Sequence, residues 1–288
     1  EQAIALDSEY ALPRSALGAR FATLGVYGMQ PAHEVMPLVR RASQEALSID
    51  PSLPEAQANL GLVAGLYDYD WKEAGRLFQL ATAREPVPPQ ARQWYSLHLV
   101  ALGRAEEAIE EAGRALQEDP LNLSSRAVLV MCLHTAGRDE EAAAEAHRTL
   151  EFDESQYTAW SLLSFIETSR GKLAEARAFA EKACSLAPWT KLLRGLFAGL
   201  LMRAGETSRA SDVLAILGDG RTYRDPLGFI FYHLILGQVE EAADWVEKAI
   251  EQRDTAIYFL RFPVGAPLRS SARWPALARM MNLPVGVS

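Results

Sequence analysis

Apolar residues recur through most of this chain at helical spacing, in stretches of two alternating kinds. The first, as in ARQWYSLHLVAL, is apolar around most of its circumference and ends at a glycine. The second, as in AEEAIEEAGRALQE, sets Glu and Arg between Ala, Ile and Leu at i, i+3, i+4 spacing and stops before Asp-Pro. The alternation has a fixed period. Gly103, Gly137, Gly171 and Gly205 follow at intervals of 34, and Gly237 comes 32 later. Five residues after each glycine stands Ala108, Ala142, Ala176, Ala210 or Ala242, and seven further on Ala115, Thr149, Ala183, Leu217 or Ala249. Each period therefore predicts a helical hairpin. Glycine takes the left-handed conformation that ends the first helix, and alanine sits where helix axes approach closely. One hairpin cannot bury its own apolar face, so neighbours must stack into a solenoid.

A 34-residue helix–turn–helix of this kind resembles the tetratricopeptide repeat. The pattern is carried by Trp160, Leu163, Ala176, Ala180, Ala183 and Pro188, and by Leu60, Gly61, Ala74, Phe78, Ala81 and Pro86. The second of these copies holds one extra residue in its turn, at YDYDW. An earlier copy has Leu17, Gly18, Phe21, Ala46 and Pro51, with a loop about nine residues longer around VYGMQPAHE. The resemblance implies an all-α, right-handed α–α superhelix of seven repeats: 9–51, 52–87, 88–121, 122–155, 156–189, 190–221 and 222–254. The opening EQAIALDSEY matches the end of a second helix, so residues 1–8 read as the tail of an upstream repeat. Residues 255–288 fall outside the register and read as a C-terminal cap ending in the short helix RWPALARMM, since a solenoid's last apolar face needs cover.

Three elements, YDYDW, WYSLHLVALGR and PLRSSARWPALARMMNLP, resemble the C-terminal repeat region of bacterial multidomain regulators. In that group the repeats follow a winged-helix, serine/threonine kinase or nucleotide cyclase domain, sometimes with a TolB-like segment. The likeness implies a sensor or docking module attached to an output domain.

In tetratricopeptide arrays the first helices line a concave groove. The register carries that row onto Leu62, Leu66, Gln93, Leu97, Met131, His134, Phe165, Thr168, Met202, Arg203, Arg224 and Phe231, among others. Only Glu55, Arg203 and Arg224 are charged in the full row of 35 positions, where 23% charged content would place about eight. The groove is expected to be apolar, and Gly195 and Gly199 count among its small lining residues. The Lys, Arg and Asn of a carboxylate clamp are missing, and an amphipathic or extended apolar segment fits the row better. Met131, Met202, Phe165 and Phe231 would be its adaptable contacts.

Composition narrows the chemistry. The 46 alanines among 288 residues favour close-packed helices. A net charge of −8 opposes binding to phosphate backbones, so nucleic acid is a poor partner. No apolar run is long enough to span a membrane. Residues 101–185 carry nine basic and sixteen acidic side chains, whereas Arg203, Arg209, Arg221, Arg224, Arg261, Arg269, Arg273 and Arg279 gather near the C-terminus. Bidentate arginines there suit an acidic peptide or phosphate, and solvated helix faces are the plainer reading.

Phosphate-loop, dinucleotide, zinc-protease and nucleophile-elbow motifs are absent, so no catalytic residue is assigned. The pairs Glu106/Glu107, Glu110/Glu111 and Glu140/Glu141 point about 100° apart on a helix and do not converge. Cys132 and His134 diverge by about 200°, so no metal or cofactor is expected. The run Tyr67-Asp68-Tyr69-Asp70-Trp71 either shapes its turn, with Trp71 packed beneath the next helix, or cradles a cation.

These readings converge on a non-catalytic scaffold that binds a peptide or partner protein in the groove. The alternative is self-association, or docking that controls an upstream kinase, cyclase or DNA-binding domain. No signal peptide is evident, which does not establish a cytoplasmic location; the location is left open, with the cytoplasm expected ahead of the periplasm.

Overall fold

The computed structural model describes residues 9–284. The expected upstream tail at 1–8 and the last four residues of the expected cap lie outside the described residues. The fold is all-α, of the superhelical repeat class, with no strand among the described residues. Seven helical hairpins follow one another in the chain. They are α1 (Ala11–Val26) with α2 (Ala32–Ile49), α3 (Pro54–Leu62) with α4 (Trp71–Ala81), α5 (Pro89–Ala101) with α6 (Ala105–Glu118), and α7 (Leu123–Thr135) with α8 (Asp139–Phe152). Then come α9 (Tyr157–Ser169) with α10 (Leu173–Leu186), α11 (Lys191–Arg203) with α12 (Thr207–Ala215), and α13 (Asp225–Leu236) with α14 (Val239–Glu251). A 3-10 segment, Thr255–Arg261, and a second, Pro263–Gly265, lead to the short helices α15 (Ala266–Arg269) and α16 (Trp274–Met280).

The periodic glycine closes the first helix in the same way five times. Gly103, Gly137, Gly171, Gly205 and Gly237 all have φ between 73° and 79°. Each turn repeats two hydrogen bonds, as where Gly103 N donates to Val100 O and Arg104 N to Leu99 O, both at 2.9 Å. Left-handed backbone costs an L-residue roughly 1–2 kcal/mol, which is why the period is written in glycine.

The two helices of a hairpin bury different faces. On α9 the run Leu162–Glu167 is buried, whereas α10 buries only Ala176, Ala180 and Ala183. A first helix is flanked by its own partner and by neighbouring hairpins. A second helix presents one alanine stripe inward and its charges outward. The tie between them also recurs at the period of 34. Arg92 binds Glu111 at 2.8 Å, Arg126 binds Glu145 at 2.6 Å, and at the third copy Trp160 packs on Phe179 with ring centroids 5.6 Å apart.

The first hairpin departs from expectation. Its extra residues lengthen the helices instead of the loop: α1 has 16 residues, α2 has 18, and only 27–31 connect them. Pro31 caps α2, and Pro37 is accommodated within it. The additional residue at YDYDW is absorbed as a π-turn over Val63–Tyr67, in which Asp68 N donates to Val63 O.

By contacts the chain divides into two compact units. Of the described residues, the first holds 9–125 together with 253–258 and 282–284; the second holds 126–252 and 259–281. In the second unit α15 and α16 pack on α14, with Trp274, Leu277 and Met281 buried. Arg273 at the start of α16 binds Glu240, Asp244 and Glu247, all on α14.

Candidate partner-binding face

The second unit contributes the first helices α9, α11, α13 and most of α7. Phe165 on α9 and Phe231 on α13 meet edge-to-face, with centroids 5.2 Å apart. Both are fully buried, and what covers them is the chain itself. Phe262 lies 5.2 Å from Phe165 and 4.8 Å from the His134 ring on α7. Phe259 lies 6.2 Å from Phe165 and 6.5 Å from Phe231. The segment after α14, read from sequence as part of the cap, therefore lies on the first-helix face before the chain returns to α14 as α15 and α16.

The segment is shaped from within its own tail. Phe262 N donates to Phe259 O at 3.1 Å, and the Arg269 guanidinium donates to the carbonyls of Leu260 and Phe262. Arg261 is buried with its guanidinium 5.7 Å from the Trp274 ring centroid, and burial pulls its pKa down to about 10. His134 Nδ1 is 2.7 Å from Asp139 Oδ1, while His134 Nε2 is buried without a hydrogen-bond partner.

Other residues of the expected row take varied places. Met131 is buried, Thr168 and Met202 are half-buried, and Arg203 is exposed. Thr168 Oγ1 donates to Ser164 O, back along its own helix. Arg224 stands in the turn before α13 at φ 68°, its N–H donating to Gln252 Oε1. Gly195 and Gly199 face α13 instead of open space. A Cβ at Gly195 would lie 1.8 Å from Gly228 O, and one at Gly199 would lie 2.8 Å from Ile235 Cβ.

In the first unit Leu62, Leu66, Gln93 and Leu97 are all buried, and Gln93 donates to Ser125 Oγ at 2.7 Å. The YDYDW run does hold a cation, supplied by the chain. The Arg253 guanidinium lies 4.9 Å from the Tyr69 ring centroid and donates to Tyr67 O. Asn282 donates to Tyr69 O, Thr255 Oγ1 to Gly25 O, and Arg40 binds Asp68 through both carboxylate oxygens. Trp71 is buried with its ring 5.9 Å from that of His98. His98 packs among Trp71, Phe78 and Tyr95, and burial, with Arg104 adding, draws its pKa down to about 4.

Among the described residues no group of three or more His, Cys, Asp or Glu side chains is placed to hold a metal ion. Burial pushes the thiols of Cys132 and Cys184 up, the latter to about 12. The C-terminal arginines are engaged: Arg209 with Glu181 and Glu206, Arg221 with Asp219, Arg273 with the α14 acids. No helix among the described residues is long and apolar enough to cross a membrane.

A family model described as "tetratricopeptide repeat" matches residues 99–164. A tetratricopeptide repeat protein from Parabacteroides merdae superposes with a TM-score of 0.56 at 15% identity, covering 87% of this chain and 93% of that one. TTC0263, a thermophilic repeat protein of Thermus thermophilus, gives 0.54 at 23% identity over 64% of this chain and 99% of its own. The fold is that of a tetratricopeptide solenoid, and the stretch 99–164 matches the repeat family itself. PilW, a type IV pilus biogenesis factor, shares the fold of the array at a TM-score of 0.50 and 16% identity, over 91% of this chain and 97% of its own. At these identities the likenesses bear on the fold alone. No curated protein matches the sequence.

The repeat register gave no place to the segment 259–262 that packs on Phe165, Phe231 and His134. A signal was present: FLRF places two phenylalanines three apart in a stretch outside the repeat pattern, and the row holds Phe165 and Phe231.

Proposed function

We propose that this tetratricopeptide array is a non-catalytic protein-interaction module that takes a partner segment on its first-helix face. The resemblance noted in the sequence extends the reading to the docking or sensor part of a larger bacterial regulator. One observation carries the proposal. In the second unit a segment of the chain already lies on that face, seated by paired aromatic rings on His134, Phe165 and Phe231. A surface that seats an irregular aromatic segment has the shape and chemistry to accept one from a partner. The same seating favours the second reading, intramolecular docking, with the array's own flanking sequence as guest.

The test is a display library of random peptides panned on the full chain. Enriched peptides should carry paired aromatics, and Thr168→Glu with Met202→Glu, at half-buried positions of the expected row, should weaken them about tenfold or more. The circular dichroism should be unchanged. Peptides that bind the double variant as well as the parent chain would place recognition elsewhere.

A further inference from the structure

The segment between α14 and α15 leaves one end of the last hairpin and comes back to it. Residues 252–265 depart from the C-terminus of α14, and α15 and α16 then pack on α14 again. Each end of this excursion has an anchor of its own, besides the contacts that Arg269 and Trp274 make to its middle. Gln252 directly follows α14, and Arg273 anchors α16 to Glu240, Asp244 and Glu247. The Arg273 ion pairs can keep α16 on α14 while the middle leaves the face, either giving up its contacts to Arg269 and Trp274 or carrying α15 with it.

The part resting on the second unit also has the form of a ligand. At the end of the 3-10 helix Thr255–Arg261 the Phe262 N–H closes a turn onto Phe259 O, which brings the two rings together. Their centroids are 5.0 Å apart, and together they meet Phe165, Phe231 and His134. The backbone between them is held by Arg269, from the tail and not from the repeats, so the segment brings its own shape to the face. A Cβ at Gly265 would lie 2.3 Å from Leu260 O, which fixes the tight return.

We propose that the face formed by His134, Phe165 and Phe231 is a receptor for an aromatic–x–x–aromatic segment. Phe259-Leu260-Arg261-Phe262 is its resident copy, and a partner segment of the same chemistry binds by displacing it. The proposal rests on the partner-binding reading above and adds the partner's chemistry and a built-in competitor. A tethered resident acts at a local concentration of millimolar order, so a partner meets a face that is only fractionally open and its apparent affinity falls by that fraction.

Two measurements on the full chain test this. In the first, hydrogen exchange of the parent chain follows the amides of 259–265. They should exchange faster than those of α9 and α13 beneath them, with α16 still protected. Exchange of all three only with global unfolding would make the segment a permanent part of the core and overturn the proposal. In the second, a fluorescent peptide of residues 258–265, YFLRFPVG, is titrated into the parent chain and into the Phe259→Ala/Phe262→Ala variant. The variant should bind about tenfold or more tightly than the parent, because its resident no longer competes, and a peptide lacking both rings should not bind. Release in the parent with no peptide binding by a folded variant would sink the receptor reading and this proposal together. Equal binding to parent and variant would overturn displacement alone and leave the receptor standing. Should the variant not fold, the exchange experiment on the parent still decides.

Discussion

Replacing Gly195 by alanine tests how closely α11 and α13 are pressed together. The added Cβ would stand 1.8 Å from Gly228 O, 2.4 Å from Gly228 C and 2.7 Å from Gly228 Cα. All three are backbone atoms, so no side-chain rotation relieves the clash. Restoring an ordinary contact requires the helices to part by about 1.5 Å, in an interior where shifts of that size forfeit much of the dispersion attraction. The layer shared by the two helices includes Leu192, Leu196 and Leu200 on α11 and Phe231 and Leu234 on α13, all buried. Overpacking typically costs 1–3 kcal/mol and alanine returns up to about 1 kcal/mol of helix propensity. Because the obstacle is main chain, the net loss should be about 2–4 kcal/mol, and the melting temperature should fall by about 4–16 °C. Gly113→Ala supplies the control. Gly113 lies within α6 with nothing inside 4 Å of its added Cβ, so alanine there should stabilise by about 0.5–1 kcal/mol. Thermal melts and urea titrations followed by far-ultraviolet circular dichroism read both. A Gly195→Ala protein that melts with the parent would refute the close approach of these helices.

Two further perturbations address the first unit. His98 has a pKa near 4 in the fold against an ordinary 6.5, because burial disfavours its charge. Between those values the unfolded chain takes up a proton that the folded chain refuses, so stability should drop by about 3 kcal/mol as pH falls from 6.5 to 4. Urea titrations across that range should show the drop in the parent, and His98→Phe should remove that part of the slope; an unaltered slope would acquit His98. Arg92, with its side chain 3% exposed, binds Glu85, Glu111 and Glu118 at 2.7, 2.8 and 3.0 Å. Arg92→Ala leaves the poorly exposed Glu111 without this partner and should cost about 3–5 kcal/mol in denaturant unfolding, and a loss under about 1 kcal/mol would contradict that reading.

Helical hairpins were legible in the sequence because their punctuation is local. A left-handed glycine with the same two hydrogen bonds closes the first helix at Gly103, Gly137, Gly171, Gly205 and Gly237, and that demand falls on one residue at a time. The short helix in RWPALARMM was legible for a similar reason: it carries its own apolar stripe, of which Trp274 and Leu277 are buried. The first hairpin was misjudged because spare length between two motifs does not say whether it coils or continues the helix. Here Pro31 starts α2 early, and 27–31 suffice to turn the chain. The cation beside YDYDW lay beyond local reading altogether. Its source, Arg253, is 184 positions from Tyr69, and no spacing rule connects them.

The charge-poor row on the first helices shows why composition alone could not describe the face. Absence of charge records that positions are kept from water and does not say what excludes it. Within the second unit the row has two fates, and side-chain size separates them. At Gly195 and Gly199 the neighbour is helix α13, and only a missing side chain lets main chain approach. At Phe165 and Phe231 the neighbours are rings from Phe259 and Phe262, which need an aromatic floor rather than a gap. Glycine in such a row marks helix against helix, and aromatics mark a place where a guest's side chains can dock. On the proposed reading, the stretch over α7, α9 and α13 is where an occupant would exchange, whereas the α11–α13 crossing is held by close backbone approach. A partner that loosens the first while leaving the second intact would act on this chain without unfolding it.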